Sequence, residues 1–202
     1  MMDVIRLLAI SGSIRRQSTN TEVLRALALL APLWVTVRQY EGLATLPAFN
    51  PDLDGENMTP PAAVQDLRSQ IANADAVVIC SPEYAHGVPG SLKNALDWLV
   101  SVPDMVNKPT ALVNASPRSI HAQLSLAETL STMSMHLVAD APYIVPLVER
   151  GMTAEAIASD PALGTPLHNC LDAVITAVSG NRQAAAVLAP AADDARLRLN
   201  HT

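Results

Sequence analysis

The sequence of 202 residues has few aromatic side chains, with only two Trp, three Tyr and one Phe. Half of the residues are hydrophobic, so its core must be built from Ala, Val, Leu and Ile. Such residues suit parallel strands that are covered by helices on both faces. The length is sufficient to bury one sizeable core. We therefore expect a single domain over residues 1–180 and a C-terminal tail, either a short helix or partly disordered, over residues 181–202.

Cysteine is almost absent, with two residues in the chain. Cys80 and Cys170 lie far apart, so the sequence contains neither a disulfide framework nor the ligand spacing of a metal site. Cys80 falls within the apolar run 76–80, where we expect it to act as a small core residue. The sequence therefore predicts no bound metal.

Positive charge is also scarce, because 13 Lys and Arg stand against 19 Asp and Glu, for a formal net charge of −6. No basic run is present, which argues against nucleic acid and anionic membranes as partners. Long apolar runs are missing as well, since the stretch 4–10 is short and is interrupted by Arg6. The sequence thus predicts neither a signal peptide nor a membrane span, and the expected compartment is the cytoplasm.

Strand-like and helix-like patterns alternate along the chain. With right-handed crossovers, the simplest arrangement is an α/β fold. It has a parallel five-stranded sheet with helices on both faces. Ligands of such sheets bind beyond the carboxyl ends of the strands, where the strand order reverses, so the loops after the first, third and fourth strands are the places to search. The predicted strands are 4–10, 34–40, 75–80, 109–114 and 137–145, and the predicted helices are 18–30, 62–72, 90–100, 119–136 and 166–179.

The loop after the first strand is rich in hydrogen-bond donors. Its donors are the hydroxyls of Ser11, Ser13 and Ser18, the amide of Asn20 and the guanidinium of Arg15. A phosphate group needs such donors from several directions, and the start of the following helix adds unpaired N–H groups. A charged hydrogen bond from Arg15 would contribute about 1.5–3 kcal/mol. The sequence signatures of a P-loop and of a dinucleotide-binding fold are missing. The alternative to a phosphate site is a polar turn in which Ser18 is a simple N-cap.

The loop 81–90 after the third strand carries two prolines and two glycines, which hold its backbone in an unusual path. The amides around residues 83–86 and the ring of Tyr84 suit the edge and the face of a planar, polar-edged ligand. His86 is either an acid–base group or a bystander. Glu83 is either part of the site or a structural acceptor for backbone N–H groups of its own loop, so no catalytic residue is assigned.

The two loops together resemble the NADPH-dependent FMN reductase family, a flavodoxin-like group that includes azo, quinone and chromate reductases. Residues 12–20, GSIRRQSTN, resemble the family pattern G-S-x-R-x-x-S-x-N. Residues 81–98, SPEYAHGVPGSLKNALDW, resemble S-P-E-Y-x-x-x-x-P-G-x-L-K-N-A-L-D-W. A weaker L-P and D-L element matches at residues 46–47 and 52–53, and the resemblance extends over about residues 5–145.

The resemblance implies a flavodoxin-like doubly wound sheet that binds FMN. It also implies an NAD(P)H oxidoreductase, which uses NADPH or NADH to reduce a small acceptor such as a quinone, an azo dye, a flavin or a metal oxyanion. The implied phosphate-binding residues are Ser11, Ser13, Arg15, Ser18 and Asn20, with Thr19 in the same motif. The implied ring-binding residues are Pro82, Glu83, Tyr84 and His86, with Ala85 where the family commonly has Asn.

The helix after the second loop places Leu92, Leu96 and Leu99 on one face, which is typical of a core contact or a subunit contact. The resemblance implies a homodimer or homotetramer with this helix at the interface. The loop after the fourth strand departs from the glycine-rich family pattern, since residues 114–122 read NASPRSIHA.

In place of that glycine-rich loop, we expect Asn114, Ser116 and Arg118 to border the ring, with Ser119 and His121 as further donors. Either backbone N–H groups or Arg118 would stabilise negative charge on the reduced flavin, and Arg16 or Arg118 would favour the 2′-phosphate of NADPH. Two other functions remain open. One is a non-catalytic binding or oligomer-forming protein whose flavin site this loop closes. The other is a one-electron carrier of the flavodoxin type.

Overall fold

The computed structural model describes residues 4–55, 58–139, 143–147 and 151–199, and from residue 185 onward only the backbone. The strands are β1 (Ile5–Ser11), β2 (Val35–Tyr40), β3 (Ala76–Cys80), β4 (Pro109–Asn114), β5 (His136–Leu137) and β6 (Tyr143–Ile144). The helices are α1 (Thr19–Leu30), α2 (Ala62–Ala72), α3 (Gly90–Asp97), α4 (Ile120–Thr132), α5 (Ala154–Ser159) and α6 (Pro161–Leu199). Short 3-10 helices span Gly42–Thr45, Pro51–Leu53 and Pro103–Met105.

The sheet has the strand order β2-β1-β3-β4-β5, and all of its pairings are parallel. This confirms the predicted α/β fold with a flavodoxin-like, doubly wound sheet. The chain runs from β1 outward to β2 and then returns to place β3 on the other side of β1. The order reverses between β1 and β3, which is where such folds bind ligands.

Both faces of the sheet are buried, as the continuous apolar runs predict. Successive residues of a strand point to opposite faces. Leu7 and Ala9 of β1 therefore join the core formed with α1, α5 and α6, whereas Leu8 and Ile10 join the core formed with α2, α3 and α4. The fold needs few aromatic residues because aliphatic side chains fill both layers.

The last predicted strand differs from expectation. The β5 and β6 segments each pair with β4 and together occupy the place of the predicted strand 137–145, while residues 140–142 lie outside the described part. The helix α4 ends at Thr132 because Ser134 adopts a left-handed conformation with φ of 59°, and the Met135 amide donates to the Leu130 carbonyl. This is a Schellman ending with Ser where Gly is usual, so the sequence did not reveal it.

The C-terminal region is more helical than expected. The predicted helix 166–179 is part of α6, which begins at Pro161 and continues through residue 199, and α5 was not predicted. Arg182 of α6 donates to the Val4 carbonyl and pairs with Asp75 at 2.9 Å. Since the other Asp75 carboxylate oxygen accepts the Arg6 amide at 2.7 Å, this contact ties α6 to the amino ends of β1 and β3.

The apolar face of α3 belongs to the core, which is one of the two roles predicted for it. Leu92, Leu96 and Leu99 are buried within the chain's own core, in the same cluster as side chains of the sheet, α2 and α4. These side chains are unavailable to a partner subunit, so the alternative interpretation of this face as core is correct. Among the described residues, none of the helices combines the length and apolar character required to cross a bilayer.

Candidate functional site

The carboxyl ends of three strands meet at one edge of the sheet. Ser11 lies opposite Cys80 in the β1–β3 pairing, and Cys80 lies opposite Val113 in the β3–β4 pairing. The segments that follow are therefore neighbours, and we call residues 12–20 the first wall, 81–87 the second wall and 115–119 the third wall. A cavity of about 520 Å3 lies between them. It is lined by Ser13, Arg15, Ser18, Thr19, Asn20, Ser81, Pro82, Glu83, Tyr84, Ala115, Ser116, Pro117, Arg118, Ser119 and Leu147.

The first wall is held by its own hydroxyl groups. The Ser11 hydroxyl accepts the Ser13 amide at 3.3 Å and the Thr21 hydroxyl at 3.1 Å. Ser18 is the N-cap of α1 and accepts the Thr21 amide at 3.4 Å. The predicted cap is therefore present, and it directs the open N–H groups of the first turn of α1 toward the cavity edge. Ser11 shapes this wall but does not line the cavity.

Arg15 adds a full positive charge to the first wall. Its side chain is exposed and lines the cavity. Within the described ranges, its guanidinium makes no ion pair or hydrogen bond with the rest of the chain. A free guanidinium beside hydroxyl groups and a helix N-terminus is a donor set suited to a phosphate monoester.

Gly12 allows the first and second walls to approach each other. Its amide donates to the Cys80 carbonyl at 2.9 Å. A Cβ atom at this position would lie 2.5 Å from the Ser81 hydroxyl oxygen and 2.9 Å from the Ser81 Cβ. Because the second of these atoms cannot rotate away, only glycine fits here without a shift of one wall.

A tight turn forms the tip of the second wall. Tyr84 and Gly87 exchange two backbone hydrogen bonds, and the central residues Ala85 and His86 have φ of 50° and 58°. Left-handed backbone at two non-glycine residues is uncommon. The turn leaves half of the Tyr84 side chain exposed beside the cavity, whereas Ala85 and His86 do not line it. His86 instead stacks on His121 of α4, with ring centroids 4.3 Å apart.

Glu83 connects the second wall to α4. Its Oε2 atom accepts the Ala122 amide at 2.8 Å, while the N-cap residue Ser119 makes no side-chain capping bond. The side-chain amide of Gln123 donates to the Ser81 carbonyl at 3.4 Å, which is a second connection between this wall and α4. Glu83 thus takes the place of the missing N-cap. It is a structural acceptor as well as a cavity-lining group, and the N–H group that donates to it lies in another element, not in its own loop.

The third wall is braced by Asn114. The Oδ1 atom of this buried side chain accepts the Ser116 amide at 3.0 Å, and its Nδ2 atom donates to the Ser119 carbonyl at 3.3 Å. The Ser119 amide in turn donates to the Ser116 carbonyl at 3.0 Å. Without glycine, this wall keeps its shape through side-chain bonds. Asn114 supports the wall from behind and does not line the cavity.

The structure therefore brings most of the predicted site residues to one cavity. The predicted residues that line it are Ser13, Arg15, Ser18, Thr19, Asn20, Pro82, Glu83, Tyr84, Ser116, Arg118 and Ser119, and those that do not are Ser11, Ala85, His86, Asn114 and His121. Sequence reasoning missed Ser81, Ala115, Pro117 and Leu147. The first three flank predicted residues, so their position could have indicated them. Leu147 follows β6 and reaches the cavity only through the fold.

The end of the second motif serves the scaffold. Asn94 accepts the Phe49 amide at 2.8 Å and donates to the Pro47 carbonyl at 2.9 Å, and the Trp98 indole donates to the same carbonyl at 2.9 Å. The rings of Phe49 and Trp98 meet edge to face, 5.0 Å apart. These motif residues therefore hold the segment after β2, which contains the weaker L-P element, against α3.

Cys80 lies directly beneath the cavity but is not a nucleophile. Its thiol is fully buried and donates to the Asn20 Oδ1 atom at 3.3 Å. Burial raises the pKa of this thiol well above its ordinary value, although a hydrogen bond from the Ala115 amide opposes the shift. Cys80 therefore stays protonated and helps to orient Asn20. In the described part of the chain, no group of three or more acidic, His or Cys side chains is placed to hold a metal ion.

Residues 5–149 match the family model described as NADPH-dependent FMN reductase. The chain belongs to the NADPH-dependent FMN reductase family. An NAD(P)H-dependent FMN reductase of Pseudomonas aeruginosa is 34% identical over 141 residues, which cover 67% of this chain and 75% of that protein. A quinone reductase of Escherichia coli strain K12 is 38% identical over 118 residues, which cover 57% of this chain and 62% of that enzyme.

The fold of this family member is also similar to a solved structure. FerB, described as a flavoenzyme NAD(P)H:(acceptor) oxidoreductase from Paracoccus denitrificans, superposes with a TM-score of 0.69 at 26% identity. The match covers 88% of this chain and 98% of FerB. The alignment with the E. coli relative is shorter and spans less than two thirds of that protein's length.

Proposed function

We propose that this chain is a flavoprotein oxidoreductase that binds FMN and uses NADPH or NADH to reduce a small acceptor. The observation that carries the proposal is the cavity at the β1–β3 reversal, with a phosphate-type donor set at its first wall and an exposed aromatic ring at its second. Family membership supports the same reading. Quinones fit the named relatives, and azo dyes, free flavins and metal oxyanions are further acceptor classes.

The residues present fit FMN. The cavity volume of about 520 Å3 falls within the range of about 300–1,000 Å3 that is usual for small-molecule sites. Ser13, Ser18, Thr19, Asn20 and Arg15 would hold the phosphate, and residues 82–84 would border the ring, with Ser116 and Arg118 on its far side. Four of the predicted residues that do not line the cavity would hold its walls in place. They are Ser11, Ala85, His86 and Asn114.

Bound flavin would supply the hydride chemistry, and the protein would position the reactants around it. Glu83 fixes the second wall to α4, so the ring-bordering amides keep one geometry. The exposed cations Arg15 and Arg118 favour negative charge at the first and third walls. No side chain is assigned a proton-transfer step.

We also propose that the protein is cytoplasmic and self-associates as a homodimer or homotetramer. Both cysteines are free and buried, which suits a reducing compartment. Any subunit contact must use a surface other than the buried leucines of α3.

The direct test is an absorption spectrum of the purified protein after incubation with FMN. We expect a bound flavin band near about 450 nm that is bleached by NADPH or NADH and restored by a quinone. Steady oxidation of the nicotinamide with added quinone would distinguish an enzyme from a binding protein. Protein that is colourless after incubation with excess FMN and removal of the unbound flavin would contradict the proposal.

The phosphate assignment has its own test in Arg15→Ala. Loss of a charged hydrogen bond of about 1.5–3 kcal/mol should weaken FMN binding about tenfold or more. Binding of riboflavin, which lacks the phosphate, should change little. Arg16→Ala is the matched control, since Arg16 is an exposed neighbour that does not line the cavity. Equal effects of the two substitutions on FMN affinity would place the phosphate elsewhere.

A further inference from the structure

Most backbone donors of the third wall are already bonded. The Ser116 amide bonds to the Asn114 side chain. The amides of residues 118, 119 and 120 bond within the wall, to the Ser116 hydroxyl, the Ser116 carbonyl and the Arg118 carbonyl. Pro117 has no N–H group. This wall therefore meets a ligand through side chains, and its only charged side chain is Arg118.

The guanidinium of Arg118 is available to a ligand. The side chain is exposed and lines the cavity, and within the described ranges it makes no ion pair or hydrogen bond with the rest of the chain. Among the described residues that line the cavity, Glu83 is the sole carboxylate, and it is already bonded to the Ala122 amide. A chain with a net charge of −6 thus presents a cationic site.

The topology separates Arg118 from the phosphate-binding wall. The β3 strand lies between β1 and β4, and neighbouring strands are about 4.8 Å apart, so the first and third walls are about 10 Å apart. That distance is about one Debye length at physiological salt, so a phosphate held by Arg15 would leave most of the charge of Arg118 uncompensated. The guanidinium of Arg118 is therefore open to a second anionic group at the third wall.

We propose that Arg118 is a specificity-determining residue that selects electron acceptors with a negative charge beside their reducible ring, such as quinone sulfonates or carboxylates. The inference rests on the proposed oxidoreductase function. A guanidinium pairs with a sulfonate or carboxylate through two parallel hydrogen bonds. For a pair at an exposed cavity rim, we expect a preference of about two- to fivefold over the neutral ring.

The test uses the FMN-loaded protein and two acceptors, 1,2-naphthoquinone and 1,2-naphthoquinone-4-sulfonate. The quantity measured is the ratio of kcat/KM for the sulfonate to kcat/KM for the neutral quinone. We expect Arg118→Ala to lower this ratio about two- to fivefold, and Arg118→Lys to retain part of it. High salt should lower the wild-type ratio toward that of the alanine variant.

Arg38→Ala is the matched control, because Arg38 is an exposed arginine on β2 that does not line the cavity. It changes the net charge by the same amount and should leave the ratio unchanged. An equilibrium readout accompanies the rates: the Kd of 2-naphthalenesulfonate, measured by calorimetry, should rise in Arg118→Ala while that of neutral 2-naphthol should not.

Two outcomes would overturn the inference, and they are distinguishable. If wild-type protein reduces both quinones but Arg118→Ala and Arg38→Ala give the same ratio and the same sulfonate Kd, then Arg118 does not select the acceptor, and the proposed function stands. If FMN-loaded wild-type protein oxidises NADPH and NADH with neither quinone, the proposed function fails and this inference fails with it.

Discussion

The bond between Glu83 and α4 allows a quantitative prediction. Replacing Glu83 by Ala removes the acceptor of the Ala122 amide, which lies at position N3 of α4 and belongs to a fully buried residue. Since Ser119 does not cap the helix, no other side chain satisfies this amide. The substitution also removes a carboxylate from the positive end of the helix.

The expected loss follows from these contacts. A hydrogen bond to a charged group contributes about 1.5–3 kcal/mol, and a buried amide left without a partner adds its desolvation cost within that range. We therefore expect Glu83→Ala to lower the free energy of unfolding by about 2 kcal/mol and Tm by about 4–8 °C. Glu83→Gln keeps a neutral acceptor and should lose about half as much.

Urea and thermal unfolding measure the loss, and hydrogen exchange at the Ala122 amide locates it. In Glu83→Ala this amide should exchange about ten- to a hundredfold faster, in proportion to the lost bond energy. Glu128→Ala on the same helix is the control, because its side chain is exposed and far from the helix N-terminus. Stability and Ala122 exchange that match the control would refute the capping role of Glu83.

Three further predictions concern single contacts. Asn94→Ala removes both bonds to the segment 47–49 and should cost about 2 kcal/mol in urea unfolding, whereas Asn94→Asp keeps the acceptor and should cost less. Gly12→Ala places a Cβ against Ser81 and should lower the free energy of unfolding by about 1–3 kcal/mol while weakening FMN binding; an unchanged Tm would contradict the close approach. Burial raises the pKa of Tyr40 to about 12, so its stabilisation is complete below pH 10 and is lost as the pH rises through 12. Tyr40→Phe should lack this loss of about 3 kcal/mol when unfolding is followed against pH, and a wild-type-like decline in the variant would refute the assignment.

Much of the fold could be predicted from local sequence pattern. The apolar runs of β1 and β3 predicted strands covered on both faces, because a strand with two buried faces needs no polar alternation. Ser18 at a strand-to-helix junction predicted the N-cap that the structure contains. The end of α4 at Ser134 escaped prediction, because a left-handed serine has no distinctive sequence signal.

The candidate site was predictable where its residues act locally, and less so where they act across the fold. Arg15 and Tyr84 follow strand ends directly, so topology alone brings them to the cavity. Leu92 on α3 looked equally suited to a core or to a partner subunit. The spacing of hydrophobic residues predicts that a helix face is buried, but it does not identify the part of the protein that buries it. Only the packing showed that the chain's own core buries this face.

The sequence by itself determined the two loops that follow β1 and β3 and the α/β order that makes them neighbours. The tertiary structure decided which of their polar groups remain free for a ligand. Glu83 meets Ala122, and His86 meets His121, across more than thirty residues of chain. Such partners depend on sheet register and on the placement of α4, which no local spacing encodes. The amides of the third wall are consumed in the same way, so tertiary contacts leave Arg118 as the charged group on that side of the cavity.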